Sequence, residues 1–329
     1  APSLLEERAA DRPTDRQDDD RSDSGGTSES DGNRAADPVG AQQVVDAETW
    51  VQAVSAGDVV FFGELHDSLI AQRLQRRVLN LMTRRNPQVA LAMEMFERDV
   101  QRTLDAYFAG SIDEATLLAQ SRPWSNYVAS YRPTVEFARA RSRVRPVASN
   151  VPRRLARIVA REGLEALETI EEAERSFLPA EVDLGTPAYR SRFEAVMSGM
   201  MAQGHQQHAT AEGESNSTES DGEAAERRAE IEAWLQRMFA AQVLKDEAMA
   251  EAVADAWDDL RDQSGAVLHL NGAFHSDFGL GIPERLLRLR PELEGRLTII
   301  TTIREAHPIW SRPDPARASA TVVTSARNP

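Results

Sequence analysis

Cysteine is absent from the 329-residue chain. This absence excludes disulfide bonds, thiolate catalysis and cysteine-ligated zinc or iron–sulfur centres. Lysine occurs once, at Lys245, among 38 basic residues, and the formal net charge is -15. Such an acidic chain repels phosphate backbones, so we expect no nucleic-acid partner. The acidic and nearly lysine-free composition also points to a salt-rich, halophile-like habitat.

Long apolar runs are missing as well. No stretch approaches the ~20 residues that span a bilayer, so we expect no transmembrane segment in this chain. The sequence begins at Ala1 without methionine. We expect an export segment, not present here, to direct the protein to the cell envelope, the periplasm or the extracellular space.

Composition divides the chain into structured and polar parts. Residues 1–41 contain few apolar side chains and predict a disordered acidic leader. A second low-complexity acidic tract, at 209–228, predicts a disordered insertion, and 311–329 predicts a loose tail. Between them we expect an α/β core domain and a helical domain. The core comprises 42–97, 141–163 and 262–310, and the helical domain comprises 98–140 and 164–261.

Apolar runs predict buried strands at 58–62, 89–93, 266–270 and 296–303, and a short strand interrupted by Pro146 is expected at 144–148. The segments between them have helical periodicity, with a short helix expected at 41–56 and a long one from about residue 230. A strand, a helix and a strand in about 35 residues make a unit whose strands are parallel. The predicted fold is α/β, a mostly parallel sheet flanked by helices with a smaller inserted all-helical domain.

Polar side chains follow the predicted strands. They are Glu64, His66, Glu94, Asn150 and His275. One polar residue after a strand usually caps the next helix, but a Gly-x-x-His pattern occurs twice, ending at His66 and at His275. Ligands of open α/β sheets bind outside the carboxyl ends of the strands. We therefore expect both loops to project into one cleft, with Glu64, His66, Glu94 and His275 as candidate catalytic residues.

This residue set leaves two chemistries open. Glu64, His66 and His275 are the ligand types that zinc or iron prefers in a hydrolytic site. A histidine is equally an axial ligand of haem iron, and tyrosinate and methionine are alternatives. Further candidates are Tyr107, Tyr127, Tyr131 and a helical group of Met197, Met200, Met201, His205 and His208.

An ordered set of segments resembles the ChaN-like haem-binding uptake family, within the superfamily that includes Tiki proteases and erythromycin esterases. The segments are FGELHD (62–67), AMEMFER (92–98), WSNY (124–127), YRPTVEFA (131–138), SNVPR (149–153), AQVLKDEAMA (241–250), NGAFHSDFG (271–279) and GIP (281–283). The resemblance covers about residues 42–305. Two features depart from the family pattern, namely the acidic insertion after His208 and the lack of a lipid-bearing cysteine.

The resemblance implies haem binding connected with iron uptake at the bacterial envelope, with two chains sharing cofactors in a homodimer. The expected cofactor-binding residues are His66, Tyr127, Tyr131, Asn150, His205 and His275, with Tyr131 the preferred tyrosine. The alternative is a metal-dependent hydrolase in which Glu64 or Glu94 activates a water held by His66 and His275. A third hypothesis is an interaction module with an inactive site.

Overall fold

The computed structural model describes residues 58–209, 221–305, 314 and 316–325. The predicted leader and the predicted helix at 41–56 lie outside these ranges. So does 210–220, the greater part of the predicted insertion. Residues 45–329 cluster as one compact unit.

Parallel strands form the sheet in the described part of the chain. In chain order they are β1 Val59–Glu64, β2 Val89–Glu97, β3 Val144–Asn150, β4 Ala266–Gly272, β5 Leu297–Glu305 and β6 Ala320–Ser325. Their spatial order is β3-β2-β4-β1-β5-β6, and every neighbouring pair is parallel. The predicted α/β class with a parallel sheet is confirmed.

Helices cover both faces of this sheet. In chain order they are α1 Leu69–Arg85, α2 Gln101–Phe108, α3 Glu114–Ser121, α4 Tyr127–Ser130, α5 Arg132–Arg139, α6 Arg153–Glu162, α7 Glu172–Arg175, α8 Pro187–Ala209, α9 Asp221–Arg261 and α10 Ile282–Leu289. Helix α1 begins where Ser68 Oγ accepts a hydrogen bond from the backbone N–H of Ala71, at 3.3 Å. A cap of this kind satisfies an N–H that has no partner within the helix. Across the described ranges, no helix has the length and apolarity to cross a bilayer.

The central strands are buried on both faces, which explains their continuous apolar sequence. All residues of β1, β2 and β4 are buried. Along β1, Val60 and Phe62 join a core cluster with α1 to α5, whereas Val59 and Phe61 join a cluster with α9 and α10. Successive side chains of a strand point to opposite faces. Helices α2 to α5 thus pack on the sheet itself. The separate helical domain expected from the sequence stays a prediction.

Two sequence predictions need correction. The long helix α9 begins at Asp221, inside the predicted disordered insertion, and runs for 41 residues. Its first turns are rich in Ala, Glu and Arg, which favour helix although they are polar. The predicted loose tail contains β6, which pairs with β5 from Ile300↔Ala320 to Glu305↔Ser325. The unpaired edge of β5 supplies backbone partners to this short β-branched segment.

Candidate functional site

Four of the predicted site residues meet at the carboxyl edge of the sheet. Glu64 is the last residue of β1 and lies opposite Gly272, the last residue of β4. Glu94 lies inside β2 rather than after it, where the pairing with β3 shifts register between Met93 and Glu97. The β4 strand then leads into a single turn of 3-10 helix, Ala273–His275, which carries His275.

His66 is held by a buried carboxylate. Its Nδ1 lies 2.9 Å from Glu64 Oε1, which also accepts a hydrogen bond from Tyr131 Oη at 2.5 Å. Gln75 Nε2 donates to the other oxygen of Glu64 at 2.6 Å. Because a carboxylate accepts hydrogen bonds, Nδ1 carries the proton and Nε2 of the neutral ring keeps its lone pair. Within the described ranges Nε2 has no hydrogen-bond partner, and the side chain is 46% exposed.

Opposing effects act on the pKa of the His66 imidazole. Burial lowers the pKa, whereas the hydrogen bond to Glu64 and the negative charges of Glu94, Glu64 and Asp67 raise it. The charges prevail, and the pKa is raised from the ordinary value of 6.5. The ring is therefore more basic than a free imidazole.

His275 lies in the interior of the same edge. Its Nδ1 is 2.5 Å from Asp246 Oδ1, and its Nε2 is 3.5 Å from Glu94 Oε1. Tyr189 Oη donates to the second oxygen of Asp246 at 2.6 Å, and the backbone N–H of Gly272 donates to Glu94 Oε2 at 2.6 Å. Both carboxylate oxygens of Asp246 and both of Glu94 thus have a partner, as their burial requires.

The pKa shifts of His275 and Glu94 have the directions expected for an ion pair. Burial lowers the pKa of His275, but the charges of Glu94 and Asp246 raise it above 6.5. Burial raises the pKa of Glu94, but His275 and His66 lower it below 4.5. Glu94 thus carries its negative charge between two imidazoles.

Glycines make the close approaches at this edge. A Cβ on Gly272 would lie 2.9 Å from both Cε1 and Nε2 of His66, so the imidazole ring packs directly over this residue. A Cβ on Gly63 would lie 2.8 Å from the backbone Cα of Ala273 and 3.1 Å from Ser276 Oγ. Each Gly-x-x-His loop needs glycine at its first position, because part of the other loop fills the space that a Cβ would take.

Replacing Gly63 with alanine should destabilise the protein by about 1–3 kcal/mol, because the added methyl group meets backbone that cannot rotate away. Gly199, in α8, has nothing within 4 Å of the same position. There the change to alanine should stabilise the helix by about 0.5–1 kcal/mol. Urea unfolding of the two variants tests this, and equal midpoints would contradict the close packing of Gly63.

Sequence reasoning missed two buried polar groups. Asp246 lies in α9 within the segment AQVLKDEAMA, but nothing in the sequence links it to His275. His269 lies inside β4, with Nε2 3.0 Å from Ser149 Oγ and Nδ1 3.1 Å from Asn271 Oδ1. Burial lowers the pKa of His269 to about 4. This serine, histidine and asparagine series is fully enclosed, so it supports the sheet and is closed to a substrate.

The tyrosines that the sequence proposes as cofactor residues are buried. Tyr131 is 1% exposed, its hydroxyl donates to Glu64, and burial and the charge of Glu64 raise the pKa of this hydroxyl. Tyr127 is a core residue that packs against Phe96 with ring centroids 6.0 Å apart, and burial raises the pKa of its hydroxyl. Tyr107 is also buried and donates to Glu136.

The other predicted cofactor residues are divided between the site and its surroundings. Asn150 Nδ2 donates to the backbone oxygen of Glu94 at 3.1 Å, so Asn150 supports the site from β3. His205 lies on α8, and its side chain is outside the described part of the structure. In the described ranges, no group of three or more His, Asp or Glu residues could hold a metal ion. The proposed metal ligands Glu64, His66 and His275 therefore do not form such a group.

One aromatic side chain packs against His66, and exposed apolar residues follow it closely in the chain. Trp124 packs edge-on to the imidazole, with ring centroids 4.8 Å apart. Asn126 Nδ2 donates to the His66 backbone oxygen at 3.0 Å and so ties the Trp124 loop to this edge. Leu69 and Ile70 begin the next helix, α1, and both are exposed. Val128, two residues after Asn126, is exposed as well.

The fold and the site define an α/β protein with two carboxylate–histidine pairs at the carboxyl edge of a parallel sheet. The chain belongs to the family described as haem-binding uptake, Tiki superfamily, ChaN, whose sequence profile matches residues 50–286. This confirms the family resemblance seen in the motifs. No match is found among the curated proteins.

Among solved structures, the chain is similar to ChaN of Campylobacter jejuni, described as binding haem cofacially. The TM-score is 0.54 and the identity 16%, with 83% of this chain and 90% of that chain covered. It is also similar to an erythromycin esterase mutant, EreC, in its open conformation, with a TM-score of 0.39 and 14% identity over 75% of this chain and 70% of that chain. At these identities the first similarity shows a shared fold.

Proposed function

We propose that this protein binds haem, with His66 as an axial ligand of the iron, and that it serves haem or iron uptake at the bacterial cell envelope. One observation carries the proposal. His66 is half-exposed, its Nδ1 is fixed by Glu64, and its Nε2 has no partner in the described part of the chain. A histidine that ligates a metal commonly donates its other N–H to a carboxylate in this way.

The surroundings of His66 fit a porphyrin. Haem would supply an iron that binds an imidazole nitrogen, within a broad apolar ring, and His66 would hold it. Trp124 packs against the imidazole, and Leu69 and Ile70, three and four residues after His66, are exposed. Exposed apolar side chains next to His66 in the chain favour an apolar ligand over a polar one. Gly272 supports the position of the ring, since a Cβ there would displace it.

A titration of haemin into the purified protein tests the proposal. The expected result is a saturable shift of the Soret band with a defined stoichiometry. Denatured protein at the same concentration controls for nonspecific adsorption of haemin to apolar side chains. A spectrum that changes linearly without saturation would contradict the proposal.

The affinity for haemin should rise as the pH is raised. A protonated imidazole cannot bind iron, and the pKa of His66 is raised above 6.5. Protons therefore compete with iron until the pH exceeds this raised value. Haemin titrations from about pH 5 to pH 9 should give a midpoint above the ordinary histidine pKa. In Glu64→Gln the negative charge is lost, and the midpoint should move to lower pH.

The metal-dependent hydrolase predicted from the sequence has less support. It requires a ligand group that the described residues do not provide. Metal analysis of the protein purified without chelators tests it, and a stoichiometric metal that His275→Ala removes would favour it. A homodimer that shares cofactors also stays a prediction. Sedimentation with and without haemin checks it, and haemin-dependent dimers would support it.

A further inference from the structure

A concave region lies between the exposed face of α1 and α5. It has a volume of about 480 Å³, which falls in the range of small-molecule sites. Its lining residues are Arg73, Leu74, Arg76, Arg77, Asn80, Leu81, Arg84 and Phe137. We name it the arginine groove. It contains four guanidinium groups, and none of the described residues that line it is acidic.

The charge of the groove is unusual for this chain. The formal net charge is -15, and most arginine side chains that form a contact within the described ranges pair with a carboxylate, as Arg98 does with Glu251. The side chains of Arg73, Arg76 and Arg84, by contrast, form no hydrogen bond or ion pair with any other residue of the described ranges. Arg84 lies in the last turn of α1, where a cation is favoured by the helix dipole. Arg73 and Arg76 have no such explanation.

The spacing of the arginines adds a cost to helix α1. Residues 73 and 76 are three apart and therefore neighbours on the helix surface, where like charges repel. An anion bound between them would remove this repulsion and supply the missing partners. Guanidinium groups bind phosphate with paired, charge-assisted hydrogen bonds. Phosphate carries up to two charges and three acceptor oxygens, so it can engage guanidiniums from successive helical turns.

The floor of the groove is apolar. Leu74, Leu81 and Phe137 are partly buried and pack against the core cluster on this face of the sheet. Arg141 stacks over the Phe137 ring, with its Cζ 3.3 Å from the ring centroid, and donates to the Phe137 backbone oxygen at 2.7 Å. This contact adds a fifth guanidinium beside the ring. A ligand that combines a charged group with an apolar portion matches both parts of the groove.

We propose that the arginine groove binds a phosphate ester with an attached apolar group, at Arg73 and Arg76 over the Leu74, Leu81 and Phe137 floor. A free phosphoester and a phosphate lipid headgroup share this chemistry. A nucleic acid does not fit, since its many phosphates would meet the acidic remainder of the chain. Phosphate binding would give the arginines of α1 a role that haem binding at His66 does not require.

Calorimetric titration of the full chain with hexyl phosphate at low ionic strength tests the proposal, with inorganic phosphate and hexanoate as comparisons. Hexyl phosphate should bind saturably and most tightly, and added salt should weaken it. Arg73→Gln/Arg76→Gln should weaken it about tenfold or more, because hydrogen bonds to a charged group are lost. The thermal midpoint of this variant without ligand should be unchanged or higher, because like-charge repulsion is removed.

The control is Arg102→Gln/Arg157→Gln, which removes two exposed helical arginines outside the groove and should leave binding unchanged.

Vesicles that contain phosphatidic acid distinguish a lipid headgroup from a free phosphoester. Binding to vesicles that the groove variant loses identifies a lipid headgroup, and binding of hexyl phosphate alone identifies a free phosphoester. His66→Ala should bind hexyl phosphate normally, which separates this site from haem. No saturable binding, equal binding of hexanoate, or equal loss in the control variant would overturn the proposal.

Discussion

Replacing His66 with alanine should weaken haemin binding by about 100-fold or more, because even the loss of a residue that hydrogen-bonds a ligating histidine commonly costs about 10- to 100-fold in metal affinity. The change removes the Nε2 atom that has no partner among the described residues. It should cost little stability, since the side chain is 46% exposed. Soret titrations of the wild type and the variant measure the loss.

Two further variants show whether the effect belongs to His66. Glu64→Gln keeps the shape of the side chain but removes the charge beside Nδ1, so it should weaken haemin binding by about 10- to 100-fold. His205→Ala tests the other histidine that the sequence proposed as a cofactor residue, and it should bind haemin as the wild type does. Loss of binding in His205→Ala with retention in His66→Ala would move the ligand to α8 and refute the assignment.

Replacing Asp246 with alanine should destabilise the fold by about 3–5 kcal/mol, the usual cost of removing one partner from a buried ion pair. Asp246 is fully buried and is bonded to both His275 and Tyr189. The folded pKa of His275 lies above 6.5, its unfolded value. The stabilisation from its protonation is therefore complete below that value and is lost as the pH rises through the folded pKa. The difference in unfolding free energy between the wild type and Asp246→Ala should therefore be smaller in alkaline buffer.

An exposed aspartate is the matched control for this change. Asp259 pairs with Arg145 at 2.8 Å on the surface, where both side chains are largely exposed. Surface pairs of this kind contribute about 0–1 kcal/mol, so Asp259→Ala should be nearly neutral. Urea unfolding of both variants at neutral pH provides the comparison. Similar losses in the two variants would show that the Asp246 pair has no special role.

The central strands could be predicted from the sequence, because parallel strands buried on both faces are continuous apolar runs. The same rule placed Glu64, His66 and His275 at one edge, since parallel strands end together. Strand β6 could not be found in this way. It is a short edge strand, and only the open edge of β5 explains its order. The start of α9 was missed because its polar, acidic composition hid the helix propensity of its Ala, Glu and Arg residues.

The side chains behind the site were harder to predict. Asp246 comes from a helix distant in sequence, so its pairing with His275 depends on tertiary packing. His269 gives no signal of its own within the apolar strand 266–270, since period-2 patterns are hidden when both faces are buried. Tyr131 was expected to bind iron, but an aromatic residue beside a motif can equally be core. Its hydroxyl contacts Glu64 from inside the protein, which only the fold reveals.

The most direct test of the central claim is the spectrum of the ferric haem complex of His66→Gly, recorded with and without added imidazole. If Nε2 of His66 is the axial ligand, the variant loses the wild-type Soret band, and imidazole that enters the space left by the side chain restores it. Free haemin with the same imidazole provides the reference spectrum. A variant that binds haemin with unchanged affinity and an unchanged spectrum would contradict the account.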